Sequence, residues 1–365
     1  MIAPAEHTLI KPAACPTPRV SVIVPAYRVR ATLREAVASL LLQTWRDLEV
    51  LVIDDASPEH CTEVLSDIDD ARLAVLRLHR NLGLSGARNA GLAAARGEFI
   101  ALLDGDDISL PHRIERQLAR FAGQPRLGLV GCLVNRIDAQ GRLVARASDA
   151  WRLPDAALKP LLLFTNPFPA VYMLRRSAIP PTGFRPMYAE DYAMAVDVAE
   201  HHEVALVHEP LVNYRVSPGG IMRTKLDQVA RDALLTQRRL LAALGMPPEQ
   251  YDPALMAALM HFGRQPPGAL AFDRLLALRD WMRALRAANA RTRRYPDDAL
   301  AQACARIWEL VLLHATKQER LAFGPRYLMQ LWSFSVGQGR GSIRAKALAH
   351  GLMNVFRRTP APSGT

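Results

Sequence analysis

The chain has few cysteines and no long apolar segment, and both absences exclude broad classes of protein. Its 365 residues include four cysteines, at positions 15, 61, 132 and 304, and no C-x-x-C pair. This spacing argues against a disulfide scaffold and a zinc site and fits a reducing compartment. No run of 18 or more apolar residues occurs, so we expect no membrane-spanning helix. Prolines interrupt the N-terminus where a secretory signal needs an apolar run, so residues 1–18 are predicted to be a disordered lead-in.

Three motifs of nucleotide and acyl chemistry are missing as well. The first hydrophobic run leads into Pro25-Ala26-Tyr27 rather than G-x-G-x-x-G, which argues against a dinucleotide-binding site. The sequence contains no G-x-x-x-x-G-K-[ST] and no G-x-S-x-G. It is therefore not expected to be a P-loop enzyme or an α/β-hydrolase.

The excess positive charge lies in the last third of the chain. The 46 Lys and Arg residues outnumber the 35 Asp and Glu residues, which gives a formal net charge of +11. Residues 1–228 contain 26 of each sign, so the whole excess follows Gln228. This asymmetry predicts two units with different electrostatic roles. The neutral first unit predicts no nucleic-acid partner.

Short β-branched runs alternate with amphipathic segments of helical length along the first part of the chain. The first four predicted strands are Arg19 to Val24, Leu48 to Ile53, Arg72 to Leu78 and Glu98 to Leu103. Such alternation is typical of a doubly wound, mostly parallel α/β sheet. Further strands are predicted at Leu127 to Ile137, Val171 to Leu174, Val204 to Val207 and Leu211 to Val216, with a helix at Glu190 to His201.

The pattern becomes almost entirely helical from Leu226 onward. We therefore predict a lead-in over 1–18, an α/β domain over 19–225 and a basic helical subdomain over 226–365. The segment from Ile343 to Arg358 is amphipathic and rich in arginine. It is expected either to lie on an anionic membrane or to pack on the α/β domain.

Acidic residues follow one of the predicted strands. Asp104, Asp106 and Asp107 lie within four residues, a costly arrangement unless a cation is bound among them. Carboxylate oxygens suit Mg²⁺ or Mn²⁺, which keep open positions for substrate phosphates. The alternative is a solvated acidic turn that caps the next helix. The ends of parallel strands are where such a sheet gathers its functional residues.

Three runs of this sequence resemble family 2 glycosyltransferases, which have the GT-A fold. They are SVIVPAYRVRATLREAVASLLLQTWRDLEVLVIDDAS, NLGLSGARNAGLAAARGEFIALLDGDD and AEDYAMAVDVAEHHEVALVHEPLVNYRV. The resemblance extends from about Val20 to about Val216. It implies an inverting enzyme that binds a nucleotide-diphospho-sugar with Mn²⁺ or Mg²⁺ and transfers the sugar to an acceptor hydroxyl.

The resemblance also implies residues for the donor. The loop of Pro25, Ala26 and Tyr27 is expected to lie along the nucleoside, with Tyr27 near the base. Asp55 is expected to accept a hydrogen bond from the base imide, whereas Asp54 faces the other side of the strand end. Arg88 and Asn89 are expected to contact the nucleotide, or alternatively only to fasten their helix to neighbouring carboxylates.

For the metal and the chemistry, the resemblance points to two acidic pairs. Asp106 is expected to be a direct metal ligand and Asp104 to reach the metal or the ribose. Asp191 matches the catalytic base, and Glu190 is expected to orient it or to bind the acceptor. The alternative for the second pair is an acidic helix N-terminus favoured by the helix dipole.

Two departures from the family leave the acceptor open. The segment from Asn166 to Ala170 lacks the histidine of many relatives, and Ser217-Pro218-Gly219-Gly220 follows where many carry another histidine. The sequence has no Q-x-x-R-W motif, which favours transfer of one sugar per encounter over processive synthesis.

The prediction is a UDP-sugar-dependent transferase of bacterial envelope glycan synthesis. Its acceptor is expected to be a glycan or glycolipid, and its location the cytoplasm, with peripheral contact at the inner face of the membrane through the basic C-terminal helices. Two rival hypotheses are a catalytically silent sugar-nucleotide-binding or scaffold protein and a nucleotidyltransferase. The latter needs a glycine-rich basic loop after the first strand, which Pro25-Ala26-Tyr27 does not supply.

Overall fold

A computed structural model describes residues 7–11, 17–147, 152–217, 224–247 and 272–314. The chain divides into two compact units, Met1–Leu162 with Asn166–Thr236 and Leu163–Thr165 with Gln237–Thr365. The helix that begins at Leu226 starts in the first unit and ends in the second. All the residues predicted for the site lie in the first unit.

One mixed sheet forms the framework of the first unit. Its strands are β1 (His7–Lys11), β2 (Val20–Ala26), β3 (Leu48–Asp54), β4 (Leu73–Leu78), β5 (Phe99–Leu102), β6 (Ile108–Ser109), β7 (Leu127–Ile137), β8 (Leu143–Ala145), β9 (Met173–Arg175) and β10 (Glu203–Arg215). They lie in the order β1-β4-β3-β2-β5-β9-β7-β10-β6, and β8 pairs with β7. Strands β5, β2, β3 and β4 are mutually parallel, as are β7 and β10, whereas β9 runs antiparallel between the two groups. The predicted α/β class is confirmed, with a mixed rather than mostly parallel sheet.

The helices of the described residues follow the predicted alternation. They are α1 (Arg30–Leu41), α2 (Cys61–Val64), α3 (Gly83–Ala94), α4 (Arg113–Phe121), α5 (Leu158–Leu161), α6 (Glu190–His201), α7 (Leu226–Ala243), α8 (Phe272–Thr292) and α9 (Asp297–His314). The last three agree with the helical C-terminal region expected from the sequence. The predicted amphipathic segment from Ile343 to Arg358 lies outside the described residues. Within the described ranges, no helix combines the length and apolar composition needed to cross a bilayer.

The core explains why α3 lies so close to the sheet. Every residue of β2 and β3 is buried, as expected for central parallel strands covered on both faces. Gly91 of α3 faces β2, and a Cβ atom at that position would lie 2.5 Å from Cγ2 of Ile23. The absence of a side chain therefore brings the backbone of α3, and the side chains it carries, against the strand ends.

The structure corrects two predictions about the strands. The lead-in predicted to be disordered over 1–18 contains β1, which pairs antiparallel with β4, because the open edge of β4 offers main-chain partners to an extended Thr-Leu-Ile segment. Residues 1–6 and 12–16 lie outside the described residues. The two closing strands predicted at 204–216 form one strand, β10, whose register shifts around Pro210, where proline has no N–H to donate.

Candidate functional site

The carboxyl ends of β2, β3 and β5 form one edge of the sheet, and the predicted donor residues follow these ends. Tyr27 is 42 % exposed, with the Arg28 guanidinium 5.2 Å from its ring centroid. Pro25 and Ala26 are buried, and the Ala26 carbonyl accepts a hydrogen bond from the Asp55 amide at 2.9 Å. Of this predicted tripeptide, Tyr27 alone presents an exposed side chain.

Asp55 and Asp54 have different partners. The two carboxylate oxygens of Asp55 accept hydrogen bonds from the Leu82 and Gly83 amides, at 2.6 and 2.9 Å, at the start of α3. Burial nevertheless raises the pKa of Asp55. Asp54 instead pairs with Arg77 at 2.6 Å and accepts from the Ser57 amide. Asp54 is therefore structural, and Asp55 lies at the junction between strand end and helix.

Arg88 connects the two predicted acidic pairs. It is fully buried on α3, and it donates from Nη2 to Oδ1 of Asp104 at 2.8 Å and from Nη1 to Oε1 of Glu190. Burial alone lowers the pKa of Arg88, but the charges of Asp104 and Glu190 outweigh it and raise the pKa. The Arg88 guanidinium also lies 5.5 Å from the ring centroid of Phe184.

These contacts correct the prediction that Arg88 and Asn89 touch the nucleotide. A guanidinium with no exposed surface and two carboxylate partners has no open face for a phosphate. Asn89 donates to the Phe184 carbonyl and accepts from the Phe184 amide, both at 2.8 Å. Arg88 thus pairs with neighbouring carboxylates, as the alternative reading of the sequence expected, whereas Asn89 is fastened to the main chain of Phe184.

The loop after β5 concentrates negative charge. Asp104 is 27 % exposed at its side chain, and Asp107 is buried. Burial and the neighbouring Asp104 raise the pKa of Asp106 to about 6, and burial together with Asp104 and Asp106 raises that of Asp107. The loop therefore holds carboxylates that repel one another and that a cation would stabilise.

Arg215, at the end of β10, holds this loop and was not identified from the sequence. Its amide donates to the Asp107 carboxylate at 2.8 Å, and its Nε donates to the Asp106 carbonyl at 2.8 Å. Its Nη2 forms an ion pair with Glu35 of α1 at 2.5 Å. The only sequence signal for this role was its place at the end of the run LVNYRV.

The second acidic pair begins α6, where the helix dipole favours negative charge. Glu190 is buried, and burial raises its pKa against the opposing charge of Arg88. Asp191 is half-buried, and its Oδ2 accepts a hydrogen bond from Nδ2 of Asn166 at 3.1 Å. Asn166, noted in the sequence only because no histidine occurs there, thus orients the predicted base.

The carboxylates after β5 suit a divalent cation that also binds phosphate. In the part of the chain that the structure describes, no group of three or more His, Cys, Asp or Glu side chains is placed to hold a metal ion. Mg²⁺ and Mn²⁺ are often held by one or two carboxylates and completed by substrate phosphates and water. Asp104 and Asp106 fit that mode, since they supply hard oxygen donors whose mutual repulsion a cation relieves.

The sequence is similar to a known protein family and to proteins of other organisms. The family model described as glycosyl transferase family 2 matches residues 21–178. An uncharacterized glycosyltransferase of Bacillus subtilis, EpsJ, is 42 % identical over 117 residues, which are 32 % of this chain and 33 % of EpsJ. The chain therefore spans about a third of that relative.

A second relative and a solved structure extend further along the chain. The Escherichia coli protein WfgD, a UDP-Glc:alpha-D-GlcNAc-diphosphoundecaprenol beta-1,3-glucosyltransferase, is 26 % identical over 218 residues, 58 % of this chain and 83 % of WfgD. The mannosyltransferase PcManGT of Pyrobaculum calidifontis, solved with GDP-Man and Mn²⁺, superposes with a TM-score of 0.51 at 16 % identity and covers 98 % of this chain and 92 % of that one. The structural similarity to PcManGT confirms the predicted GT-A fold.

Proposed function

We propose that this chain, whose residues 21–178 match the model of glycosyl transferase family 2, transfers a single sugar from a nucleotide-diphospho-sugar to an acceptor hydroxyl, with inversion and with a divalent metal. The observation that carries the proposal is the buried bridge from Asp104 through Arg88 to Glu190. It ties the metal motif to the start of α6, two parts of the site that are 86 residues apart in sequence. A sugar held by its diphosphate at the first would lie beside the base at the second.

The donor half of the site consists of Tyr27, Asp55, Asp104 and Asp106. The exposed ring of Tyr27 offers a stacking surface for the base. Asp55 supplies a carboxylate at the strand end beside it. Asp106, with Asp104, would hold Mn²⁺ or Mg²⁺, which would neutralise the negative charge that develops on the nucleoside diphosphate as it leaves.

The proton is taken by Asp191 rather than by Glu190. Glu190 is buried and its carboxylate is paired with Arg88, so it is engaged in the bridge to Asp104. Asp191 is more accessible, and Asn166 fixes the direction of its carboxylate. As the acceptor oxygen bonds to the anomeric carbon, Asp191 removes its proton while the bond to the nucleoside diphosphate breaks on the opposite face.

The donor is proposed to carry uridine and the acceptor to be an envelope glycan or glycolipid. WfgD, which uses UDP-Glc on a diphosphoundecaprenol acceptor by its name, supports both parts. PcManGT was solved with GDP-Man, which makes guanosine the alternative base. A lipid-linked acceptor would place the enzyme in the cytoplasm at the inner face of the membrane, with the basic C-terminal helices facing anionic lipid.

A thermal-shift screen tests the donor. UDP-, GDP- and dTDP-sugars are added separately, with and without Mn²⁺. A ligand at 100 times its Kd stabilises the fold by about 2.7 kcal/mol, and we expect this only with a UDP-sugar and Mn²⁺ together. Stabilisation by GDP-sugars alone would overturn the uridine assignment, and binding without turnover on any acceptor would favour the silent sugar-nucleotide-binding protein.

A further inference from the structure

The loop after β5 needs an external support. Asp104, Asp106 and Asp107 place three carboxylates within four residues, and like charges this close repel one another. The amide of Asp107 bonds to the Asp104 carbonyl at 3.1 Å, which closes only one turn of main chain. The direction of the Asp106 carboxylate therefore depends on what holds the Asp106 peptide.

Arg215 supplies that support through three sets of contacts. Its Nε donates to the Asp106 carbonyl at 2.8 Å, and its main-chain amide donates to the Asp107 carboxylate at 2.8 Å. Its Nη1 donates to the carbonyls of Asp138 and Ala139, at 3.2 and 3.0 Å, in the turn after β7. Its Nη2 pairs with Glu35 of α1 at 2.5 Å. One guanidinium, 5 % exposed, thus fixes the loop to two other elements.

The charge of Arg215 is compensated away from the loop. A cation beside the metal motif would ordinarily weaken metal binding, but the Glu35 carboxylate neutralises the guanidinium on the side of α1. The planar guanidinium of arginine matters here, because its three nitrogens donate to four different acceptors at once. A lysine ammonium at the same place is a single donor centre and cannot span them.

We infer that Arg215 is a positioning residue for the metal motif: it orients Asp106 for the divalent cation by holding the Asp106 peptide and the Asp107 carboxylate against α1 and the turn after β7. The inference rests on the metal dependence in the proposed function. The inference predicts that loss of the Arg215 guanidinium weakens Mn²⁺ binding itself. Any decrease in sugar transfer then follows from the weaker Mn²⁺ binding.

The experiment measures Mn²⁺ binding to the full chain by electron paramagnetic resonance, with and without UDP. Arg215→Lys is compared with wild type and with Arg175→Lys. Arg175 is a suitable control, since its guanidinium likewise joins main-chain carbonyls, of Leu127 and Gln124, to one carboxylate, of Glu98. It lies on β9 at the opposite end of β5, where Arg175 faces Phe99 in the antiparallel register.

We expect Arg215→Lys to weaken Mn²⁺ binding by about tenfold or more, the usual cost of losing a partner behind a metal ligand, and Arg175→Lys to leave it unchanged. Transfer by Arg215→Lys should recover as Mn²⁺ is raised. Wild-type Mn²⁺ affinity in a folded Arg215→Lys protein overturns the inference. Failure of the wild type itself to bind Mn²⁺ overturns the metal dependence and the inference with it.

A second variant tests the inference independently, in case Arg215→Lys does not fold. Glu35→Asp keeps the charge but shortens the side chain by one methylene, which withdraws it from Nη2. Glu35 is 54 % exposed at its side chain, so the fold should tolerate the change. Weaker Mn²⁺ binding in this variant supports the inference, whereas wild-type binding contradicts it. The control for this variant is Glu59→Asp, because Glu59 is an exposed residue that pairs with Arg30.

Discussion

At the scale of single residues, the site separates groups that hold other groups from groups that meet substrate. Arg88 was expected to touch the nucleotide, yet it is buried between Asp104 and Glu190. The sequence could not distinguish these roles, because Glu190 lies 102 residues from Arg88 and only the fold brings the two side chains together. The place of Tyr27 at a strand end was predictable, because strand ends can be located from β-branched runs alone. Its role beside the base came from the family resemblance and stays a prediction.

Replacement of Asp191 separates binding from chemistry. Asp191→Asn keeps the size of the side chain but cannot take a proton, so the transfer rate should fall by about two to four orders of magnitude. The loss should appear in kcat, while the Kd for donor and Mn²⁺ stays near wild type. Steady-state kinetics with donor-binding measurements check both expectations. A variant retaining more than about a tenth of the wild-type rate would move the base elsewhere.

The control for this substitution comes from the same helix. Asp197 also lies on α6, but it is 8 % exposed at its side chain and pairs with Arg185 at 3.0 Å. Its replacement would disturb packing and would not be silent. Glu200 is exposed near the end of α6, and Glu200→Gln should leave both kcat and donor affinity unchanged.

At the scale of secondary-structure elements, the position of α3 decides whether the two acidic pairs meet. The helix carries Arg88, and Gly91 lets it lie directly on Ile23 of β2. The helix itself was predictable from its Gly- and Ala-rich periodicity. Its close approach to β2 was not, because a glycine within a helix indicates close packing only once its neighbour is known.

A methyl group at Gly91 should therefore act on the whole helix. Gly91→Ala places a Cβ where Cγ2 of Ile23 would be only 2.5 Å away, so α3 or β2 must shift. Overpacking of this kind costs about 1–3 kcal/mol of unfolding free energy, more than the gain in helix propensity returns. Urea denaturation measures the change. Ala93→Ser, at an exposed position of α3, should stay within about 0.5 kcal/mol of wild type.

At the scale of the whole molecule, strands β2 to β5 follow from local patterns, whereas the edge strand β1 and the continuity of β10 do not. Strands β2, β3, β4 and β5 agree with the predicted runs to within one or two residues. Strand β1 was missed because its pairing with β4 joins residues about 70 positions apart. The single strand β10 was split in prediction because Pro210 interrupts its apolar pattern.

The charge distribution gives a prediction at the same scale. If the excess of +11 charges after Gln228 serves membrane docking, the protein should bind vesicles containing anionic lipid, and salt should weaken this binding as the Debye length falls to about 3 Å at 1 M. Deletion of residues 343–365 should reduce binding in a flotation assay and leave donor hydrolysis intact. Binding to neutral vesicles at the same level, or none to either, would contradict the docking role.

The pairing of β1 with β4 also affects the tendency of this protein to self-associate. Strand β1 lies at one edge of the sheet and covers the backbone groups of β4, while the opposite edge, β6, is only two residues long. Long open edges are templates for pairing with another chain. A truncated form starting at residue 17 would expose β4 along six residues, and its first defect should be self-association in concentrated solution, with the catalytic residues still in place.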